Sequence, residues 1–411
     1  MEIFKRGALR GELAIPADKS ITHRAIILSG IGDGEVEVEN YLAGADCLST
    51  LSCMEKLGVV AERSSKKLLI KGVGLRGLKA PTEILDAGNS GTTLRLLMGL
   101  MAAQSFSTTF TGDESLKKRP LKRVTEPLTQ MGATFSGNKL PLTITGGCLR
   151  GIRYETTLAS AQVKSSILLA GLYADAPTQI IMPSCRDHTE LMLKAAGAKL
   201  DGLTIYPAER LYLPKRIQIP NDISSAAYWI VLATLTEGSK IILRDIGVNA
   251  TRMGLPDALE KMGASIHLSN LRQSCGEPLA DIKICAAKLR AIELDAEEIP
   301  RLIDELPILA VAASFAEGTS IIRGAGELRV KESDRLAAIE NEFNKLSPGT
   351  IEVDGDTLII HGGKAKRMNF CKTYGDHRIA MSLGIMGMAG NGVELDDTDC
   401  VNISYPNFFD N

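Results

Sequence analysis

Apolar stretches of helical length recur six times along the chain, each ending in Gly just before a β-like run. They read "HRAIILSGIGDGEVEVENY", "TLRLLMGLMAAQSFSTTFTG", "VKSSILLAGLYADAPTQIIM", "SAAYWIVLATLTEGSKIILRD", "LPILAVAASFAEGTSIIRGA" and "HRIAMSLGIMGMAGNGVELDD". A helix apolar nearly all round predicts burial in a core. After most of the strands comes a second, amphipathic helix ending in a Gly-hydrophobic or Gly-Ala step, as in "VTEPLTQMGATF" and "LPDALEKMGASI". Its polar face predicts a place on the outside. The matching glycines, Gly58, Gly132, Gly197 and Gly263, recur at roughly 65 to 75 residues, too long for a solenoid and long enough for a small βαβ-type unit. The fifth copy has "RLAAIENEFNKLSPG" there, and the sixth is cut short at Asn411. Six such units fit two α/β domains of three.

An enclosed helix must satisfy its first backbone N–H groups, so the residues before each apolar helix carry information. The six starts are "ADKSITHR", "GNSGTTLR", "ASAQVKSS", "PNDISSAA", "RLIDELP" and "YGDHRIA". Capping accounts for Ser20, Ser90, Ser160, Asp222, Asp304 and Asp376 taken singly. It does not account for Lys19, His23, Arg24, Arg95, Gln162, Lys164, His377 and Arg378 beside them. Cations in the first turn oppose the helix dipole unless an anion offsets both. The loop from Gly88 to Thr93, "GNSGTT", has the form of an anion loop yet holds no lysine. Two charged runs, "GDESLKKRPLKR" and "ELRVKESDRLAAIE", sit where strands lead into second helices. Either alone reads as a solvated helix start with local ion pairs. Together with cationic helix starts, they point to ligands carrying several negative charges.

Composition narrows the classes. Of 411 residues, 45% are hydrophobic and 23% charged, and 47 basic residues face 49 acidic ones. No global basic field favours nucleic acid or an anionic membrane. The eight cysteines show no CxxC pair and no zinc spacing with the five histidines, so reduced thiols are expected. The start "MEIFKRGALRGEL" carries charges where a signal peptide needs an apolar run, so the cytoplasm is the expected compartment. GxxxxGK[ST], GxGxxG after a strand, HExxH and GxSxG are all absent. Electrostatic binding with proton transfer remains, with no metal required.

"LDAGNSGTTLR" and "RVKESDRLAA" resemble the two signature segments of the 5-enolpyruvylshikimate-3-phosphate synthase family. "PADKSITHRA", "ASAQVKSS", "RDHTELML", "NDISSAAYW", "IDELPILA" and "YGDHRIAMS" match its other landmarks in order, from about residue 8 to about 408. The resemblance implies the two-domain enolpyruvyl transferase fold, an α/β (α+β) architecture like an inverse α/β barrel. Each domain would hold three βαβαββ-type repeats around buried helices. One domain is expected at residues 18 to 220 and the other at 1 to 17 plus 221 to 411, with the active site in the cleft between them. It also implies transfer of the enolpyruvyl group of phosphoenolpyruvate to the 5-hydroxyl of shikimate 3-phosphate, releasing phosphate, on the route to chorismate and the aromatic amino acids. Two phosphates and two carboxylates meet in that reaction, and the cation count fits them. No cofactor and no metal are implied, and a monomer without nucleic-acid or membrane partners is expected.

Carried over by position, the catalytic residues are Asp304 as proton acceptor for the 5-hydroxyl, Glu332 for proton transfer at C3, and Lys19. Lys19, Ser20, Arg24, Ser160, Ala161, Gln162, Arg186, Asp304 and Lys331 would bind shikimate 3-phosphate. Lys19, Asn89, Gly91, Arg119, Gln162, Arg335 and Arg378 would bind phosphoenolpyruvate, with planar arginines on its carboxylate. A carboxylate among so many cations has its pKa lowered, so protonating carbon requires desolvation or substrate to raise it. A Cβ at Gly91 would intrude where the phosphate lies, the space taken by the family's phosphonate competitor glyphosate.

Two positions depart from the family pattern. Ala161 replaces a second serine, and in members with that form the arginine matching Arg186 takes part of the phosphate load. Ile403 stands where some members have a lysine that contacts phosphoenolpyruvate phosphate. The sister enzyme acting on a UDP-amino sugar would carry a reactive cysteine in the link that here reads "GDESLKKRPLKR". A non-catalytic phosphometabolite sensor would gain from losing Asp304 and Glu332. A nucleotide kinase would need the missing loop lysine.

Overall fold

The computed structural model describes residues 1–410. The chain forms two compact units, a central one of Ala17–Pro220 with Gln273–Glu277, and a split one of Met1–Pro16, Asn221–Arg272 and Pro278–Asn411. Each has its own apolar core.

In the central unit one repeat shows the plan. Strand Leu85–Asp86 leads through helix Gly91–Ala102 to Ser107–Thr111, which pairs with it in parallel. The outer helix Lys122–Met131 follows, and then the antiparallel strands Thr134–Phe135 and Leu142–Thr145. Arg153–Glu155, Thr178–Ile181, Leu200–Asp201 and Thr204–Ile205 repeat that order around helix Ala161–Gly171. In the remaining repeat the strand before helix Lys19–Ile31 is missing from its expected place. Arg216–Gln218, from the far end of the unit, pairs in parallel with Asp33–Glu39 and fills it. The last segment thereby completes the first repeat.

The split unit uses the same device twice. Arg10–Leu13 pairs in parallel with Lys240–Gly247 across helix Ile223–Leu235. Glu2–Ile3 pairs antiparallel with Val393–Leu395 and completes the sixth repeat as a three-stranded sheet. The middle repeat, Glu293–Leu294, Leu306–Phe315, Thr319–Ile322, Ile351–Asp354 and Thr357–His361, is contiguous.

The two helix types separate as the polarity pattern requires. Helix Leu306–Phe315 is buried from Leu306 through Ser314. Lys122–Met131 buries only Val124, Thr125, Pro127, Leu128 and Met131, one side of the cylinder. Gly58, Gly132, Gly197 and Gly263 have φ of 95°, 116°, 87° and 101°, the left-handed step that ends a helix and that glycine takes without a Cβ penalty. The buried helices Gly91–Ala102 and Ala161–Gly171 approach closely at Gly99, where a Cβ would lie 2.1 Å from the Ser166 carbonyl oxygen.

Four of the six expected caps are present. Ser90, Ser160, Asp222 and Asp376 each accept a backbone N–H of the first turn. At Lys19–Ile31 the cap is Asp18, whose carboxylate accepts from Ile21 N at 2.8 Å, and Ser20 lies inside the helix. Asp304 is not a cap either, because helix Leu306–Phe315 begins beyond it, after Glu305.

The C-terminal segment is anchored by aromatic packing. Phe408 stacks against Tyr228, Trp229 and Tyr405 at centroid distances of 5.5, 5.3 and 5.1 Å. Trp229 Nε1 donates to the Tyr405 hydroxyl at 2.8 Å, giving the buried polar tips a partner. Among the described residues no helix is long and apolar enough to cross a membrane.

Candidate active site

In the central unit, the residues named from the sequence gather at the starts of the three buried helices. The Gly88–Thr93 loop is held by its own hydroxyls: Ser90 Oγ accepts from Thr93 N at 3.1 Å and from Thr93 Oγ1 at 2.7 Å. Gly91 opens the helix with two guanidinium groups over it. A Cβ there would lie 2.6 Å from Arg95 Nη1 and 3.4 Å from Arg119 Nη1. Arg119 Nη2 donates to Asn89 Oδ1 at 2.9 Å, and Asn89 Nδ2 donates to Asp113 Oδ2 at 2.5 Å. Gln162 bridges two helix starts, accepting from Arg95 Nη1 at 2.7 Å and donating to Thr92 Oγ1 at 3.0 Å. Burial pushes Arg95 down to about 10, and the like charges of Arg119 and Arg123 add to it. Cations gathered this way repel, and an anion between them relieves the repulsion.

Lys19 Nζ pairs with Asp46 Oδ2 at 3.2 Å, and the Asp46 carbonyl accepts from Thr93 Oγ1 at 3.2 Å, so Lys19 is tied to the glycine loop. His23 Nδ1 lies 2.6 Å from Thr50 Oγ1, which lies 2.6 Å from Thr93 Oγ1. Burial first, then the charges of Lys19 and Arg24, hold His23 well below its ordinary value, so it is neutral at pH 7.

Arg24 is braced from three sides. It is 4% exposed, and its guanidinium donates to Thr189 Oγ1, the Ser20 carbonyl and Ser165 Oγ at 2.7, 2.8 and 2.9 Å. Ser165 Oγ in turn lies 2.7 Å from the Ala161 carbonyl. Arg24 therefore braces the starts of two buried helices and presents little of itself to solvent. Arg186, in the loop before helix His188–Ala195, is half-buried, and its charge acts on Arg24. Ser160 caps helix Ala161–Gly171 through Val163 N at 3.4 Å. Lys164 is turned away into a buried pair with Glu190 at 2.5 Å.

In the split unit the predicted residues form one charge cluster. Asp304, released from capping, has Lys331 Nζ at 3.8 Å, Arg335 Nη1 at 3.6 Å and Arg378 Nη2 at 3.9 Å. Its carbonyl accepts from Arg378 Nη1 at 3.1 Å. Arg335 is fixed by Asp376, with Nε at 2.8 Å and Nη2 at 3.2 Å from the carboxylate, and Nη2 also donates to Glu332 at 2.6 Å. Its Nη1 is buried and makes no hydrogen bond, and a buried donor left so costs about 1–3 kcal/mol until a ligand accepts from it. Burial works to raise the Glu332 pKa, but Arg335 and His377 outweigh it and the carboxyl lies below its ordinary value. Arg378 is held charged although burial opposes this, chiefly by Asp304 and then by Tyr228 and Glu305.

Arg95, Asp46, Asp376 and Glu305 belong to these clusters without having been expected to bind substrate or act in catalysis. Arg95 and Asp376 stand in the helix starts, where a cation or a cap was visible. Asp46 is distant in sequence from what it holds. Glu305 Oε1 lies 3.8 Å from Arg378 Nη1 and accepts from Ser224 Oγ. Ile403 is 40% exposed on the split unit. Among the described residues no group of His, Cys, Asp and Glu could hold a metal ion.

Comparison with known proteins identifies the family. The family model described as EPSP synthase (3-phosphoshikimate 1-carboxyvinyltransferase) matches residues 3–411. The 3-phosphoshikimate 1-carboxyvinyltransferase of Desulforamulus reducens is 46% identical over 413 residues, covering 98% of this chain and 96% of the relative. That of a Thermoanaerobacter species is 47% identical over 418 residues, covering 100% and 98%. Among solved structures, EPSP synthase from Acinetobacter baumannii superposes with a TM-score of 0.90 at 40% identity, covering 100% of this chain and 96% of that one. The enolpyruvyl transferase NikO from Streptomyces tendae shares the fold at a TM-score of 0.81 and 17% identity, covering 100% and 95%. The family model over nearly the whole chain and relatives 46–47% identical across it show that the chain belongs to the EPSP synthase (3-phosphoshikimate 1-carboxyvinyltransferase) family.

Proposed function

We propose that the protein transfers the enolpyruvyl group of phosphoenolpyruvate to the 5-hydroxyl of shikimate 3-phosphate, releasing inorganic phosphate, and so serves the shikimate pathway. The observation that carries the assignment of roles is the position of Asp304: a carboxylate that caps no helix, with three cations within 4 Å. A carboxylate set among these cations is the group placed to accept a proton from a hydroxyl.

The steps follow from the chemistry of the two substrates. The 5-hydroxyl gives its proton to Asp304 as its oxygen bonds to C2 of phosphoenolpyruvate, and C3 takes a proton from Glu332. The resulting tetrahedral carbon carries the sugar oxygen, the phosphate, a carboxylate and a methyl group. Glu332, now a carboxylate, takes back a methyl proton as phosphate departs, and the double bond is restored. Arg335 and Arg378 hold the carboxylate as bidentate donors, with Arg335 Nη1 gaining its missing acceptor. Arg119, Lys19, Asn89, Gln162 and the N–H groups at Gly91 hold the phosphate that leaves. Lys19, Ser20, Ser160, Gln162, Arg186 and Lys331 take shikimate 3-phosphate. Ala161 supplies only its backbone N–H and Arg24 acts mainly as the brace beneath. The working form is a monomer in the cytoplasm.

Glu332 needs a proton to deliver although Arg335 and His377 lower its pKa. When the substrate carboxylate draws the charge of Arg335 to itself and water leaves, the Glu332 pKa rises toward the value a proton donor needs. Product identification by mass spectrometry after mixing the protein with both substrates tests the reading. The enolpyruvyl ether of shikimate 3-phosphate is expected, and its absence contradicts the assignment.

A further inference from the structure

A buried carboxylate joins the two segments that carry Arg335 and Arg378, at a distance from both. We infer that Glu342 is a positioning residue for these two arginines, acting through Tyr374; the inference rests on the function proposed above.

Glu342 lies in the π-helical turn Ile339–Phe343, which continues directly from helix Arg335–Ala338. It is 1% exposed and fully engaged. Its Oε1 accepts from the Tyr374 hydroxyl at 2.8 Å, and its Oε2 accepts from Lys372 N at 2.8 Å and Lys345 Nζ at 2.7 Å. Cys371 Sγ lies 3.6 Å from the Glu342 carbonyl. Every one of these partners except Lys345 lies in the segment that ends at Asp376 and Arg378. A π-turn inside a helix often marks a functional position, because the extra residue re-aims side chains at one place.

The segment it holds has an unusual path. Tyr374 and Gly375 have φ of 57° and 64°, two left-handed residues in succession, and the first is not glycine. An aromatic residue persists in that region only where its surroundings over-determine it. Tyr374 as a whole is 47% exposed, and its hydroxyl bond to Glu342 is a tether. Immediately after the turn, Asp376 caps helix His377–Ala389 and accepts from Arg335.

The two segments are thus pinned twice, once by Arg335 with Asp376 and once by Glu342 with Tyr374 and Lys372. The first pin uses an arginine that must share its charge with the substrate carboxylate. The second uses no substrate-binding group, so it holds the spacing of Arg335 and Arg378 whatever is bound.

The test compares Tyr374→Phe, which deletes only a hydroxyl, and Glu342→Gln, which keeps the shape but loses the charge. The readouts are KM for phosphoenolpyruvate, KM for shikimate 3-phosphate, and inhibition by inorganic phosphate, which lacks a carboxylate. The expected result is a rise in phosphoenolpyruvate KM of about fivefold for Tyr374→Phe and about tenfold or more for Glu342→Gln, with the other two constants within about twofold. Equal weakening of all three, or an unchanged phosphoenolpyruvate KM in both variants, overturns the inference. Absence of turnover in the unmodified protein overturns the parent reading and this inference with it.

Discussion

Arg95 Nη1 donates to Gln162 Oε1 at 2.7 Å, while the other end of the Gln162 amide donates to Thr92 at 3.0 Å. One side chain thereby locks the starts of helices Gly91–Ala102 and Ala161–Gly171 in register, and sets a guanidinium directly over Gly91.

Gly91→Ala is expected to act through that guanidinium as well as through the phosphate. The new methyl group would lie 2.6 Å from Arg95 Nη1, so Arg95 must move and its bond to Gln162 weakens. A titration should show inhibition by glyphosate lost by about tenfold or more, while the phosphoenolpyruvate KM rises by only a few fold. Equal changes in both constants would count against the placement of the anion.

Asp304→Ala removes the proposed proton acceptor and leaves three cations without it. Turnover should fall by about 10²–10⁴-fold, the usual contribution of a positioned general base. Binding of shikimate 3-phosphate, measured by calorimetry, should persist. Surviving turnover would mean that the hydroxyl proton goes elsewhere.

Asp376→Ala tests the frame of the site. Asp376 is fully buried, caps helix His377–Ala389 through Arg378 N and pairs with Arg335. Its loss leaves a buried guanidinium without its main partner, at a cost of about 3–5 kcal/mol. A clear fall in Tm by differential scanning calorimetry is expected; a change within about 1 °C would show the pair to be dispensable.

Stability should also depend on pH in two stages. His23 is buried and neutral, with its pKa well below the ordinary 6.5. The unfolded chain therefore takes up a proton below pH 6.5 that the folded chain refuses, and stability falls by up to about 1.4 kcal/mol per pH unit. Glu332 and Asp376 have lowered pKa values, with ordinary values of 4.5 and 3.8. Their contribution is complete above those values and is lost as pH falls through the folded ones. Tm against pH should therefore decline from about 6.5 and steepen below about 4.5. His23→Asn, which can keep the bond to Thr50, should abolish the first decline only.

Much of this was legible because polarity pattern and helix starts are local properties. The six buried helices, the glycines closing the outer ones and the cations in the first turns all sit within a few residues of what they determine. Asp18 and Ser20 are both capping types, and only the path of the backbone, which brings Asp18 within reach of Ile21 N, decides between them. Asp304 is a capping type by sequence, but the helix begins past Glu305, and its carboxylate faces Lys331, Arg335 and Arg378. The bracing of Arg24 was not legible, because its partners Ser165 and Thr189 lie far along the chain. The strands Arg216–Gln218 and Glu2–Ile3, which complete repeats begun elsewhere, were invisible to a search for contiguous units.

The central claim is best tested by phosphate release from the purified protein. With phosphoenolpyruvate and shikimate 3-phosphate together, phosphate should appear in step with consumption of both, with or without added chelator, and with either substrate alone none should appear. Phosphate release with a UDP-amino sugar in place of shikimate 3-phosphate, or none with either pair, would contradict the account.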